Sequence, residues 1–564
     1  MPHSDKYFSG SRFALSRDAE ILLATAFLCA TAVIGFATVS DYGIAVDEWN
    51  ADDYGHKALA WYASGFSDRA MFTDVEETLW YYGPWFQILI AAVQSLGIAE
   101  HWTARHAVTF SAGLAGIAMV VPLARRVVGP WAGVTALTLC LTTGYLYGSL
   151  FYSPIDVSFL FSMTAATLAI VVMAGRSVPS WAATISAGTL SGLAVATRSS
   201  GVITLVYLIG AMALCGLEAF VECQSYALRK RLAQIGARTG VAVLLAFLSA
   251  LALWPWLQVG NPFKQFTSAF AYFASHPASW DFVHWGESVS TQHLPWTYVP
   301  AQLAARLPEV FLLLLTIGLL AGLSSAFSFV TRVRGASLSR WTALALILAQ
   351  SRLTLVLWAA VLLPLAFIIV NGSTLYDGVR HVFFLIPLLA VLAGYGFVRL
   401  LPLTMRAPTI MAAGVGAYLG YHVYVLAALH PLEYIAFNAA AGGVHGAYGR
   451  FDMDYWAQAA TVALRRLEDR LNLERPTESA PTLPSLLICI PWREAGVEPM
   501  YRRPWRLETD ASKADYLIAT ERMNCAENQP VVLIDEVKRF GRPFAWTYAR
   551  QPQGTMPSAA PAPR

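Results

Sequence analysis

Charge is what this chain has least of. Asp, Glu, Lys and Arg make up 13% of its 564 residues, against 56% hydrophobic, where a water-soluble protein carries about a quarter. An ordinary soluble domain is therefore excluded. The net charge of +3 is too small for a nucleic-acid-binding surface, which needs a concentrated positive field. Cysteine is sparse too: six residues, no CxxC and no zinc spacing. Cys29, Cys140, Cys215 and Cys223 lie in or beside apolar runs and read as packing residues. Cys489 and Cys525 fall in a polar tail, where a disulfide is open to them if the tail is extracytoplasmic. The stretch 1–20 lacks a small-residue cleavage site, so the first apolar run is expected to stay as an anchor. No fixed-period repeat and no doubly wound nucleotide domain is visible.

What the chain does have is a series of continuous apolar runs of about 17–25 residues, long enough for helices to span a bilayer. Their continuity argues against a β-barrel, whose strands alternate. About eleven spans are expected, near 20–39, 105–126, 131–149, 155–175, 180–196, 201–217, 240–258, 308–327, 353–370, 381–398 and 409–428. Between the first two lies a long loop, 40–104, with amphipathic stretches at 51–64 and 84–98; a second long loop is 259–307.

Basic residues cluster in alternate loops: Arg125 and Arg126, Arg176, Arg229 to Arg238, Arg332 to Arg352, and Arg399 with Arg406. The positive-inside rule makes those loops and residues 1–19 cytoplasmic, and the other loops and the tail extracytoplasmic. Within the tail, 429–550, short apolar runs at Leu486–Ile490, Tyr516–Ala519 and Val531–Ile534 have strand length. The expected fold is mainly α: a polytopic transmembrane bundle over 20–428 with a small C-terminal extracytoplasmic α/β domain. Residues 551–564, rich in Pro and Ala, are expected to be disordered.

Chemistry-bearing residues gather at the outer ends of the runs. Asp47 and Glu48 follow the first run, with Asp52, Asp53, His56 and Lys57 close behind. A carboxylate at a low-dielectric interface is suited to act as a base, whereas Asp52 with His56 and Asp53 with Lys57 have the spacing of helical pairs. Tyr82-Gly83-Pro84 opens an apolar stretch that fits a helix lying in the interface; aromatics there also serve as a plain interfacial belt. Arg105, Asp156, Arg198, Arg380 and His381 sit at span ends, where a charge is either snorkelling or used. Arg105 and Arg380 face outward, and an outward guanidinium suits a phosphate. Asp156 also reads as a helix-start carboxylate. In 259–307, His284 and Glu287 are three apart, a metal-ligand pair if they share a helix. After the last run, Asn438, Gly442, Gly443 and Asp454-Tyr455-Trp456 form either a loop docked over the membrane site or a hinge.

Taken in order, these motifs resemble one family. Asp47-Glu48, Tyr82-Gly83-Pro84, Ala104-Arg105, Ser153-Pro154-Ile155-Asp156, Leu294-Pro295-Trp296-Thr297-Tyr298, Gly378-Val379-Arg380-His381 and Asn438 to Trp456 are similar to the polyprenyl-phosphate-sugar-dependent glycosyltransferases of the GT-C superfamily. The nearest branch is that of the protein O-mannosyltransferases and aminoarabinose transferases, glycosyltransferase family 39. The resemblance covers most of 20–460 and implies a multi-pass enzyme of the bacterial inner membrane. Such an enzyme moves a sugar from a polyprenyl monophosphate to a hydroxyl of a glycan, lipid or protein, with inversion. It implies Asp47 as base, Glu48 as a positioning residue, and Arg105, Arg380 and His381 at the donor phosphate. Tyr82, Asp156, Tyr298, Asn438 and Asp454 would line the donor or acceptor pocket. No cofactor is required, and a divalent metal is left open. No segment here is long enough for the β-trefoil of the protein mannosyltransferases, which disfavours a protein acceptor. Lys57 is the only lysine near the expected phosphate, and no motif secures it. The competing reading is a transporter or flippase for a lipid-linked saccharide, whose mark would be ionisable residues near mid-bilayer and internal repeats.

Overall fold

The computed structural model describes residues 17–75, 79–277, 279–335, 339–404, 406–471, 483–489 and 505–551. Among them, nine helices are long and apolar enough to cross a membrane: Asp18–Asp41, His101–Val127, Pro154–Ala174, Ser199–Glu222, Ser225–Leu253, Glu309–Ser328, Arg352–Asn371, Leu385–Thr404 and Pro408–Leu429. Ala132–Thr142 and Gly144–Tyr152 make up to a tenth span, bent by 69°. The run expected to span at 180–196 forms the helix Trp181–Val195. At 1.5 Å per residue it reaches about 22 Å, short of the hydrocarbon thickness of about 30 Å.

Two of the long helices say what solvent the bundle needs. The apolar windows of Asp18–Asp41 and Pro408–Leu429 are only 11% and 6% buried inside the protein. A helix that is apolar all round and bare on the surface is stable only in an apolar medium. The chain is therefore a multi-pass membrane protein.

Pro154–Ala174 is the opposite case, with 83% of its window buried, and it forms the centre of the bundle. Pro154 occupies its first turn, where the missing N–H costs no hydrogen bond. Helices His101–Ala118, Trp181–Val195, Ile203–Glu222 and Arg352–Asn371 pack around it. Trp181–Val195 lies tightly on Ser225–Leu253 because Gly188 and Gly192 face Ala242 and Ala246. A Cβ at either glycine would come within 2.4 Å of the facing carbonyl oxygen, the small-residue packing that membrane helices use for close approach.

The first loop folds against one end of this bundle. We label α1 (Arg17–Thr38), α2 (Glu48–Ala63), α3 (Ala70–Thr73), α4 (Trp85–Ser95) and α5 (His101–Ala118). The two amphipathic stretches are α2 and α4, packed on each other. Later in the chain, β1 (Asp281–His284) and β2 (Glu287–Ser290) form a hairpin.

The chain after Pro408–Leu429 stays at this same end. The helix Ala459–Arg470 packs on a five-stranded sheet made of β3 (Ser485–Ile488), β4 (Arg506–Leu507), β5 (Tyr516–Thr520), β6 (Val531–Arg539) and β7 (Arg542–Arg550). Strand order is β4-β3-β5-β7-β6. β3 is parallel to both neighbours, and the β5-β7-β6 side is antiparallel. A disulfide joins Cys489 to Cys525, with Cα atoms 5.6 Å apart. It ties the end of β3 to the loop after β5.

Candidate active site

The acidic pair that opens α2 divides into two residues with opposite environments. Glu48 is fully buried. Its carboxylate accepts the Ala45 N–H at 2.8 Å and the Arg105 Nε–H at 3.2 Å, and lies 3.2 Å from His106 Nε2. Arg105 on α5 is equally buried and donates its other groups to Asp52 Oδ1 at 3.2 Å and Gln87 Oε1 at 3.0 Å. Each nitrogen of this guanidinium has a partner on α2 or α4, and neither Arg105 nor Glu48 lines the cavities at this end of the bundle. Arg105 is therefore not placed to take a phosphate, and Glu48 is not placed to touch a substrate. Together they bolt the start of α2 to α4 and α5, and they hold up the residue just before them.

That residue, Asp47, is half-exposed and faces a cavity of about 270 Å³, where its carboxylate receives Arg380 Nη2 at 2.6 Å. Arg380 stands in the short turn between Arg352–Asn371 and Leu385–Thr404. It also pairs with Asp377 at 3.0 Å and with Asp156 at 3.3 Å. Asp156, buried in the first turn of the central helix, accepts Ser153 Oγ–H at 2.5 Å and pairs with Arg198. Three carboxylates and three arginines are joined in this way, because Arg522 of the C-terminal domain closes the set through Asp377. Trp280, Tyr376 and Trp456 complete the cavity walls.

A second, narrower groove of about 110 Å³ runs beside it, lined by Tyr82, Arg198, His276 and His381 at its polar end and by Phe270, Phe273, Phe367 and Ile368 along its apolar side. Gly83 is required here, since a Cβ would overlap the Ala196 carbonyl, and its absence lets Tyr82 stand 5.5 Å below the Arg198 guanidinium. Arg198 Nε has no hydrogen-bond partner among the described residues. Burial, reinforced by Arg198 and Arg380, holds His381 well below the usual histidine range. The ring is neutral at physiological pH and offers a hydrogen bond rather than a charge.

The other expected pocket residues lie behind the walls. Tyr298 is buried and donates its O–H to the Gly378 carbonyl at 3.1 Å. It braces the turn Asp377-Gly378, both in the left-handed region at φ +57° and +70°, from which Arg380 projects. Asn438 spends both ends of its amide on backbone, donating to the Ala304 and Leu307 carbonyls and accepting the Ala441 N–H. It fixes this junction to the backbone around 304–307 and lines neither cavity. Asp156 is a bracket between two arginines. Asp454 accepts the Gln458 and Ala459 N–H groups at 2.9 and 3.0 Å and the Tyr434 hydroxyl. Burial pushes its carboxyl up to about 6. It also edges a further cavity of about 410 Å³ under the C-terminal domain, together with Asp452, Glu521 and Arg522.

The metal pair expected at His284 and Glu287 is not on a helix. Trp285 and Gly286 take φ of +56° and +84°, the two-residue turn that joins antiparallel strands. His284 and Glu287 therefore face each other across the hairpin ends. His284 Nδ1 accepts Gln302 Nε2–H at 3.1 Å, and Glu287 points to solvent. Among the described residues, the group able to converge on an ion is Asp52, His56 and His101, whose ligand atoms lie within 4.8 Å of one another. Asp52 and His101 already approach to 2.8 Å there. Lys57 is taken by Asp53 and Asp74 at 2.7 and 2.9 Å and does not reach the Arg380 cluster.

Two site residues escaped the sequence reading. Asp377 does carry a local sign, an Asp-Gly turn just before an outward arginine. Arg522 carried no sign beyond its place between a strand and Cys525.

Comparison with known proteins returns no matching family model and no matching curated protein. Solved structures do resemble the chain. Aminoarabinose transferase (ArnT) from Cupriavidus metallidurans, bound to undecaprenyl phosphate, is 14% identical, with a TM-score of 0.46 over 96% of this chain and 100% of that one. Its apo state gives 0.47 at 14% identity, covering 94% and 99%. The apo oligosaccharyltransferase of Archaeoglobus fulgidus gives 0.43 at 15% identity, covering 82% of this chain and 62% of that one. At these scores the similarity assigns neither an activity nor a residue role. The fold and site define a polytopic helical membrane protein with an acid–arginine cluster at one end of the bundle.

Proposed function

We propose that this protein is a membrane glycosyltransferase that moves a sugar from a polyprenyl monophosphate to a hydroxyl acceptor, with inversion, at the outer face of a bacterial inner membrane. The observation that carries this reading is the pairing of Asp47 with Arg380 in an open cavity, beside an apolar-sided groove that ends on Arg198 and His381. The groove suits a prenyl chain along its phenylalanines and a phosphate at its polar end. A base and an anion site meet at one mouth.

The chemistry follows from the contacts. The donor phosphate draws Arg380 toward itself and away from Asp47. The freed carboxylate then accepts the proton of the acceptor hydroxyl as that oxygen attacks the anomeric carbon. The bond from that carbon to the phosphate oxygen breaks on the opposite face, and the phosphate leaves with the electron pair. Arg380 and Arg198 stabilise its charge, the kind of preorganised electrostatic contribution that dominates many active sites. A phosphate leaves without a general acid, and no step calls for a metal. Asp52, His56 and His101 would be the residues to hold a divalent ion if one is bound. The acceptor is a glycan or a lipid.

The test is Asp47→Asn in purified chain, reconstituted in nanodiscs with a polyprenyl-phosphate sugar. Transfer should fall by about 10²–10⁴-fold, the range of general-base contributions. Binding of the polyprenyl phosphate should be retained. Transfer at the wild-type rate would overturn the mechanism.

A further inference from the structure

Arg522 belongs to the C-terminal domain, yet it lines the Asp47–Arg380 cavity. It is mostly buried, and its guanidinium pairs with Asp377 Oδ1 while Arg380 holds Asp377 Oδ2. One carboxylate thus serves two arginines from separate parts of the chain. The ion-paired set contains Asp47, Asp156 and Asp377 against Arg198, Arg380 and Arg522, three negative groups against three positive ones. Without Arg522 the set carries a net negative charge, and the full field of Asp377 falls on Arg380.

The loop that presents Arg522 is held on both sides. Glu521 accepts the Asp454 N–H at 3.2 Å on one side, and Cys525 is bonded to Cys489 on the other. The disulfide joins the residue that follows β3 to the loop after β5, so the loop cannot move far from the ends of these two strands.

We propose that the C-terminal domain completes the anion site of the membrane module. Arg522 is a positioning residue: by neutralising Asp377 it leaves Arg380 free to turn from its carboxylates to an incoming phosphate, and the Cys489–Cys525 disulfide holds it there. The proposal rests on the reading of this cavity as a donor-phosphate site. It adds that the soluble domain is part of that site and that its disulfide controls phosphate affinity.

The probe is undecaprenyl phosphate, titrated against full-length protein in nanodiscs, with thermal stability recorded in parallel. Arg522→Ala should weaken binding at least about tenfold, and Arg522→Lys, which keeps the charge, should recover most of it. The deciding variant is Asp377→Asn combined with Arg522→Ala. Removing one charge of each sign restores the balance, so binding should return to within about threefold of wild type, a coupling that independent sites do not show. Cys489→Ser with Cys525→Ser should weaken binding as Arg522→Ala does, and the two changes together should cost no more than either. If wild type does not bind the probe, the phosphate-site reading itself fails. If wild type binds and Arg522→Ala binds equally well, or if the double variant is no better than Arg522→Ala, Arg522 has only a structural role and the proposal is overturned.

Discussion

Neighbouring residues of one type divide here by burial. Asp47 and Glu48 are adjacent carboxylates, but one is half-exposed at the cavity and the other is fully buried under Arg105. Loss of each should therefore read out differently. Glu48→Gln removes one of the two carboxylates that face the buried Arg105 guanidinium and leaves Asp52, so it should cost up to about 3–5 kcal/mol, the cost of breaking a buried pair outright. Its expected outcome is a lower unfolding temperature and reduced yield, measured by a thermal melt of the purified protein. Arg198→Lys, which keeps a positive charge beside the buried Asp156, should leave the melt near wild type and weaken undecaprenyl-phosphate binding, because an ammonium lacks the planar fork that lines the groove. Equal loss of stability in both variants would count against that division of labour. The sequence distinguished arginines at span ends from the rest. It did not tell which of them face a cavity, because Arg105 is enclosed by residues on α2 and α4, 18 to 57 positions away.

Elements explain which expectations survived. Long apolar runs became helices at every expected place, since a run of that length buries its backbone polar groups only by coiling. The tract around His284 and Glu287 went the other way. A three-residue spacing suits a helix, but Trp285-Gly286 adopts the hairpin turn and the pair ends up across a ladder. In the C-terminal domain, burial pushes the Glu521 carboxyl up to about 8. A carboxyl with a raised folded value binds its proton more tightly when folded, so its contribution to stability is greatest at low pH and declines as pH rises toward that value. Asp454, raised to about 6, overlaps at the acid end, and His430, held above its usual range by Glu433 and Asp41, adds a slope of the same sign to that of Glu521 between about 6 and 8. Stability should fall with pH across that window, and Glu521→Gln should flatten the slope in thermal melts taken at pH 6, 7 and 8. An unchanged slope would mean that Glu521 does not titrate there.

At the scale of the whole molecule, two partly independent structures share one end. The bundle exposes apolar helices such as Pro408–Leu429, while the sheet that follows carries a disulfide. Disulfides persist where the surroundings are oxidising, and the positive-inside rule leads to the expectation that the tail lies on that side. Expressed in a bacterial inner membrane, the full chain should show Cys489 and Cys525 blocked to a membrane-impermeant maleimide until a reductant is added. Cysteines introduced in the basic loops, such as at Ser337, should stay unlabelled in intact spheroplasts. Labelling of the loops from outside would reverse the orientation.

The amino-acid sequence by itself determined the membrane class, the helical architecture and the prominence of Asp47 and Arg380. Those features follow from local hydropathy and from charge next to apolar runs, which need no partner to be read. Only the tertiary structure decided which charges are free. Whether an arginine binds a ligand or braces a helix depends on groups brought to it from other elements. Arg522, 475 positions beyond Asp47 in the numbering, reaches the same cavity because the C-terminal sheet docks beside the Asp377 turn, and no local pattern encodes a contact of that range.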